Sequence, residues 1–168
     1  MAGLFRKINN LLIKILEIAV TVIMASLVLD VLWGVFSRYV LQNQSTWTEE
    51  LAIMLLIWAS LLGASIGFIR NSHLGVDYFV SKFGIRMQKV FQILVYVLVA
   101  VFASVPMIYG GLRLVISTLR HGQPSAALQV QWGYIYLAVP ISGFFILVFS
   151  IETIIKNSAS LLKKKENI

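Results

Sequence analysis

The chain has 168 residues, of which 59% are apolar and only 12% are charged, and its net charge is +7. A soluble domain carries about twice that share of charged residues, so lipid must cover much of the apolar surface. The absence of cysteine excludes disulfides, thiol nucleophiles and thiolate metal sites.

Four apolar segments are long enough to cross a bilayer, which takes about 20 helical residues. They cover residues 18–39, 51–69, 90–117 and 132–155. We therefore predict an all-α membrane protein with four transmembrane helices, forming a single domain over residues 1–168.

Additional amphipathic segments accompany these spans. Ahead of the first span, apolar residues recur at steps of three and four from Leu4 to Ile18. This pattern predicts a helix lying partly in the membrane interface or, as the alternative, a simple extension of the first span. Residues 76–86 show a similar stripe, which predicts a short helix on the inner membrane surface.

The basic residues indicate the orientation. All but three of the 14 lysines and arginines flank the N-terminus, the connection between spans two and three, or the C-terminus; the exceptions are Arg38, Arg113 and Arg120. The positive-inside rule predicts that both termini and the middle connection are cytoplasmic. The positive charge then indicates contact with anionic lipid rather than with nucleic acid.

Asp30 is the only carboxylate deep inside an apolar segment, about two helical turns before Arg38. An ionisable residue at such a position is a functional candidate by default. Three interpretations stay open: a proton or sodium relay, a buried polar contact with a neighbouring helix or partner subunit, and exposure to an aqueous crevice.

The second span opens with two adjacent carboxylates, Glu49 and Glu50. Thr46 or Thr48 is a candidate cap for this helix, and the helix dipole favours acidic residues in its first turn. Trp47 is interpreted as an anchor at the membrane–water interface.

The outer ends of the spans also carry basic residues. Arg113 lies about 36 Å beyond Lys89 at the helical rise, which predicts a position at the outer interface. We expect one of the two glutamates to pair there with Arg38 or Arg113.

Two prolines and two glycines predict special helix geometry. Pro106 and Pro140 lie within spans three and four and are expected to kink them. Gly63 and Gly67 form a GxxxG pattern, which is typical of close helix packing in lipid. No nucleotide loop, metal-ligand cluster or nucleophile–base pair appears in the sequence, so we predict neither an enzyme nor a bound cofactor.

The segments TWTEELAIMLLIWASLLGAS (residues 46–65) and RNSHLGVD (residues 70–77) carry a family resemblance. With the four spans, they make the chain resemble the small membrane subunit, the Q subunit, of tripartite ATP-independent periplasmic (TRAP) transporters. The matching positions are Arg38, Trp47, Glu49, Glu50, Trp58, Gly63, Arg70, His73 and Asp77.

The resemblance implies a role in the bacterial inner membrane. In this family a large M subunit holds the substrate and sodium ions and moves like an elevator, and a periplasmic P protein delivers the substrate. The small subunit is expected to act as a scaffold for the large one and to help dock the P protein. Substrates would be small organic acids such as sialic acid or C4-dicarboxylates. The candidate interface residues are Asp30, Arg38, Trp47, Glu49, Glu50, Trp58, His73, Asp77 and Arg113.

Two other function classes are alternatives. A self-sufficient four-helix carrier would use Asp30 as its working carboxylate, and Asp30→Asn should then abolish transport. A membrane enzyme or redox subunit would hold a haem, quinone or metal.

Overall fold

The computed structural model describes residues 2–43, 45–70 and 85–163. Its elements are α1 (Ala2–Tyr39), α2 (Thr46–Ile69), α3 (Ile85–Phe102), a π-helix (Ala103–Gly110), α4 (Gly111–His121), α5 (Trp132–Tyr136) and α6 (Ala138–Lys163). Over these residues, the only extended pairing is an isolated antiparallel bridge between Pro124 and Gln131. The predicted all-α class is confirmed.

Within the described part of the chain, four helical stretches are long and apolar enough to cross a membrane. They are Asn10–Tyr39, Thr46–Ile69, Val90–His121 and Trp132–Ile155. The predicted number of four spans is confirmed. The first two stretches begin earlier than predicted, at Asn10 and Thr46, and the third continues to His121 rather than ending at Ser117. The chain is a multi-pass membrane protein.

The first amphipathic segment is continuous with the first span. Helix α1 has 38 residues without interruption, or about 57 Å at the helical rise, well beyond the 30 Å of a bilayer core. The structure therefore favours the extension over a separate interfacial helix. The second amphipathic segment falls mostly in residues 71–84, outside the described part, and stays a prediction.

Pro106 and Pro140 each interrupt an α-helix four residues earlier in the chain. A proline ring collides with the carbonyl of the residue four positions earlier. Accordingly, α3 ends at Phe102, four residues before Pro106, and continues as the π-helix. Helix α5 ends at Tyr136, four residues before Pro140, and the chain restarts as α6 with this proline in its first turn.

The chain divides into two compact units. The first unit comprises Met1–Ile66 and Arg113–Ala138, and the second comprises Gly67–Leu112 and Val139–Ile168. In the first unit, a Cβ atom added to Gly133 would lie 2.5 Å from Leu119 Cγ. In the second unit, a Cβ atom added to Gly143 would lie 2.7 Å from Met107 Cβ. Each unit therefore contains helices that approach closely at a glycine, and the single domain stays a prediction.

The spans differ in how much of their surface the chain itself covers. In the fourth span 44% of the most apolar window is buried, against 11% in the first and third. Large apolar side chains such as Leu29 and Leu32 of α1 are exposed. No atom of the described residues lies within 4 Å of a Cβ added to Gly63 or Gly67. The close packing predicted for the GxxxG pattern is therefore not made by the residues that the structure describes.

Candidate functional site

The described candidate residues all belong to the first unit. They are Asp30, Arg38, Trp47, Glu49, Glu50, Trp58 and Arg113. His73 and Asp77 lie outside the described residues, so their roles stay predictions.

The connection between α1 and α2 is held by hydroxyl groups. The Ser37 and Ser45 hydroxyl oxygens are 2.9 Å apart, and Thr48 Oγ1 donates to the Ser45 carbonyl at 2.8 Å. The Asn43 backbone N–H donates to the Ser37 carbonyl at 3.2 Å. Gln42 has a φ of 52°, an uncommon left-handed conformation for a residue with a side chain. These contacts fix where α2 begins relative to the end of α1.

Helices α1 and α2 approach each other closely beside this connection. A Cβ atom added to Gly34 would lie 3.2 Å from Thr48 Oγ1. Thr48 is buried, so its hydroxyl lies between the two helices. Glycine at position 34 is therefore what allows the first-turn residues of α2 to pack against α1.

Glu50 binds the connection between α4 and α5. Its Oε1 accepts a hydrogen bond from the Ala127 backbone N–H, and its Oε2 accepts one from the Leu128 backbone N–H, both at 2.9 Å. These donors lie 77 and 78 residues further along the chain. The sequence led us to expect an arginine partner for one glutamate. Glu50 instead binds these backbone amides, and an arginine partner for Glu49 stays a prediction.

Residues 122–131 form an ordered turn around this contact. The Ser125 N–H donates to the Val130 carbonyl at 2.8 Å, and the Trp132 N–H donates to the Gln123 carbonyl at 3.2 Å. Ser125 is buried, and its hydroxyl accepts the Val130 N–H at 3.3 Å. Gln129 has a φ of 55°. Glu50 thus ties a folded turn, rather than a loose segment, to the N-terminal part of α2.

Asp30 is buried in the first unit. The residue is 6% exposed, and neither carboxylate oxygen has a hydrogen-bond partner in the described part of the chain. Asp30 borders a half-open groove of about 280 Å³ between α1 and α2. The groove is lined by Asp30, Val31, Gly34, Val35, Arg38, Tyr39, Thr48, Glu49 and Ala52.

The remaining candidates lie nearer the surface of the unit. Trp47 is exposed and Trp58 is half-buried. Arg38 and Arg113 are exposed. Because α4 continues to His121, Arg113 lies about 12 Å before the helix end. Its location at the outer interface stays a prediction.

Sequence reasoning did not find the binding partners of Glu50. Ala127 and Leu128 act through backbone N–H groups, which every residue except proline carries. Their side chains therefore gave no signal. The buried Ser125 was equally inconspicuous, as one serine in a connecting segment.

Residues 27–159 match the family described as "Tripartite ATP-independent periplasmic transporters, DctQ component". The chain belongs to this family. It is similar to the sialic acid TRAP transporter small permease protein SiaQ of Vibrio cholerae, with 27% identity over 96% of this chain and 95% of the relative.

Two further relatives are also named as permease proteins of TRAP transporters, for other substrates. The isethionate TRAP transporter permease protein DctMQ of Oleidesulfovibrio alaskensis is 31% identical over 58% of this chain but only 15% of its own length. The C4-dicarboxylate TRAP transporter small permease protein DctQ of Vibrio cholerae is 26% identical over 53% of this chain and 38% of its own length. The relatives of this DctQ-family chain are thus permease proteins of transporters.

Proposed function

We propose that this chain is the scaffold subunit of a sodium-coupled, binding-protein-dependent transporter of small organic acids. The observation that carries the proposal is the family match over residues 27–159, joined to the similarity with SiaQ over nearly the full length of both chains. In this proposal the chain catalyses no reaction. It holds the large M subunit in position in the membrane.

The DctMQ relative supports the large subunit as the partner. The segment similar to this chain makes up 15% of that relative, so a much longer sequence shares its polypeptide. A separate small chain would need to hold the corresponding large chain by non-covalent contacts. The exposed apolar surface of α1 and the open surroundings of Gly63 would serve such contacts.

The substrate class follows from the relatives' names. Sialic acid, isethionate and C4-dicarboxylates are all small organic anions. We propose a substrate of the sialic acid or C4-dicarboxylate type, bound by the large subunit.

The turn held by Glu50 is the proposed contribution to docking of the periplasmic P protein. An ordered surface loses less conformational entropy on binding than a flexible one. Residues 122–131 are ordered by internal hydrogen bonds and by the Glu50 carboxylate. Exposed Trp47 and Arg38 belong to the same unit and extend the surface available to a partner.

We propose a location in the bacterial inner membrane with both termini in the cytoplasm. The distribution of basic residues supports this orientation, because three of the 14 lie on the predicted outer side. The four spans support it as well, since an even number returns the chain to its starting side.

Uptake into liposomes tests the transport role. The large subunit would be reconstituted with and without this chain, and radiolabelled sialic acid or C4-dicarboxylate uptake measured with a sodium gradient and the binding protein. We expect uptake only when all three proteins and the gradient are present. Equal uptake without this chain would contradict the proposal.

A further inference from the structure

The buried carboxylate of Asp30 lacks a hydrogen-bond donor among the residues that the structure describes. Both oxygens are covered and neither has a partner among the described residues. An ionised carboxylate away from water is costly unless it is paired and hydrogen-bonded. Asp30 lies nine residues, about 14 Å, before the end of α1 and is therefore well inside the apolar span. The missing donor must come from outside the described part of the chain.

The groove beside Asp30 has the size and lining to admit a long side chain. The groove has a volume of about 280 Å³ and is open on one side, and Val31, Val35 and Ala52 give it apolar walls. Lysine and arginine side chains pack their carbon stems along such walls while their charged ends reach a polar group. Asp30 is itself one of the residues that line the groove.

The charge of the groove favours a cation. Of the chain's seven acidic residues, Asp30 and Glu49 line this groove, against one basic residue, Arg38. The lining is therefore negative within a chain of net charge +7. A basic group would complement it.

Other occupants fit less well. An inorganic cation prefers several oxygen ligands, and no group of three acidic, histidine or cysteine side chains that could hold a metal ion occurs among the described residues. In a phosphatidylethanolamine headgroup the amine lies outside the phosphate. Here the order is opposite, because Asp30 lies about 12 Å deeper along α1 than Arg38.

We propose that the Asp30 groove receives a basic side chain, lysine or arginine, from a membrane helix of the large permease subunit. This inference rests on the proposed scaffold function and assigns Asp30 the role of a buried ion-pair partner across the subunit interface. Asp30 then holds the complex together and carries no proton or ion during transport.

The first test is Asp30→Asn, which keeps the size of the side chain and removes its charge. In the full chain purified alone, the thermal unfolding midpoint should stay the same or rise, because an unpaired buried charge is lost. Affinity for the large subunit should fall by about tenfold or more, since the partner's charge is left unpaired. Glu17→Gln is the matched control, with the same acid-to-amide change about 20 Å away on α1, and should leave affinity unchanged.

A charge exchange identifies the partner residue. Asp30→Lys should prevent co-purification with the large subunit. The basic residues in the membrane helices of the large subunit would then be replaced by glutamate one at a time, and we expect one of these replacements to restore co-purification. Rescue requires a folded chain, so it also excludes misfolding as the cause of the loss. Failure of every combination would overturn the ion pair.

The outcomes separate this inference from the proposed function. If the unaltered chain does not bind the large subunit, the scaffold function itself fails. If the unaltered and Asp30→Asn chains bind equally well, only the ion pair is overturned. If the Asp30→Asn chain, purified without the large subunit, unfolds at a lower temperature than the unaltered chain, Asp30 makes a stabilising contact inside its own chain. Loss of a bound lipid from that variant, with the complex intact, would assign the groove to lipid. Either result would overturn the inference.

Discussion

Two adjacent glutamates at the start of α2 have different surroundings. Glu50 binds two backbone amides of a distant turn with both of its oxygens, whereas Glu49 lines the groove that contains Asp30. Neighbouring residues on a helix point about 100° apart, so one helical step separates the two environments. The start of α2 therefore both orders the connection between α4 and α5 and contributes charge to a groove.

Replacing Glu50 should loosen the turn it holds. In Glu50→Gln the side-chain amide has one acceptor oxygen in place of two, so one of the Ala127 and Leu128 amides loses its partner. Hydrogen exchange measured by mass spectrometry should become several-fold faster across residues 125–131. Glu49→Gln, the same acid-to-amide change at the neighbouring residue, is the control. Unchanged exchange in Glu50→Gln would contradict the role given to this residue.

At the scale of helices, glycines set the distance of closest approach. In the second unit, Gly143 of α6 faces Met107 Cβ and the Ala103 carbonyl oxygen, which would lie 2.7 and 3.2 Å from an added Cβ atom. These atoms belong to the backbone of the π-helix or are bonded directly to it, so they can shift only if the helix itself shifts. In the first unit, Gly63 has open space around it. The two glycines therefore form a natural pair for comparison.

Gly143→Ala should destabilise the chain by about 1–3 kcal/mol, the usual cost of overpacking. Gly63→Ala, the matched control, should leave stability unchanged or slightly higher, because alanine is the better helix former. Thermal unfolding in detergent measures both. An unfolding midpoint for Gly143→Ala equal to that of the unaltered chain would show that the helices separate easily at this point.

The elements that the sequence predicts best are those defined by a run along the chain. The four spans follow from apolar length, and the interruptions at Phe102 and Tyr136 follow from prolines four residues later. The contact of Glu50 with Ala127 and Leu128 was missed because it joins residues far apart in the chain through backbone groups. The lack of a partner for Asp30 among the described residues could not be predicted from the sequence either, because it depends on how α1 and α2 pack.

At the scale of the whole molecule, two features of the described residues are incomplete. Many large apolar side chains are exposed, and the buried carboxylate of Asp30 has no hydrogen-bond partner. Lipid can cover the apolar side chains of the first and third spans, but its hydrocarbon tails cannot hydrogen-bond to the Asp30 carboxylate. A subunit that is completed by another membrane protein accounts for both features. A self-sufficient carrier would instead have to use Asp30 within a monomer or a dimer of this chain.

The stoichiometry of the purified protein tests this account most directly. The chain would be tagged, expressed together with the large TRAP permease subunit, purified in mild detergent and weighed by native mass spectrometry. The account predicts a stable complex of one small and one large subunit. Recovery of this chain alone, as a monomer or a homodimer, would contradict the scaffold function and point to an independent carrier centred on Asp30.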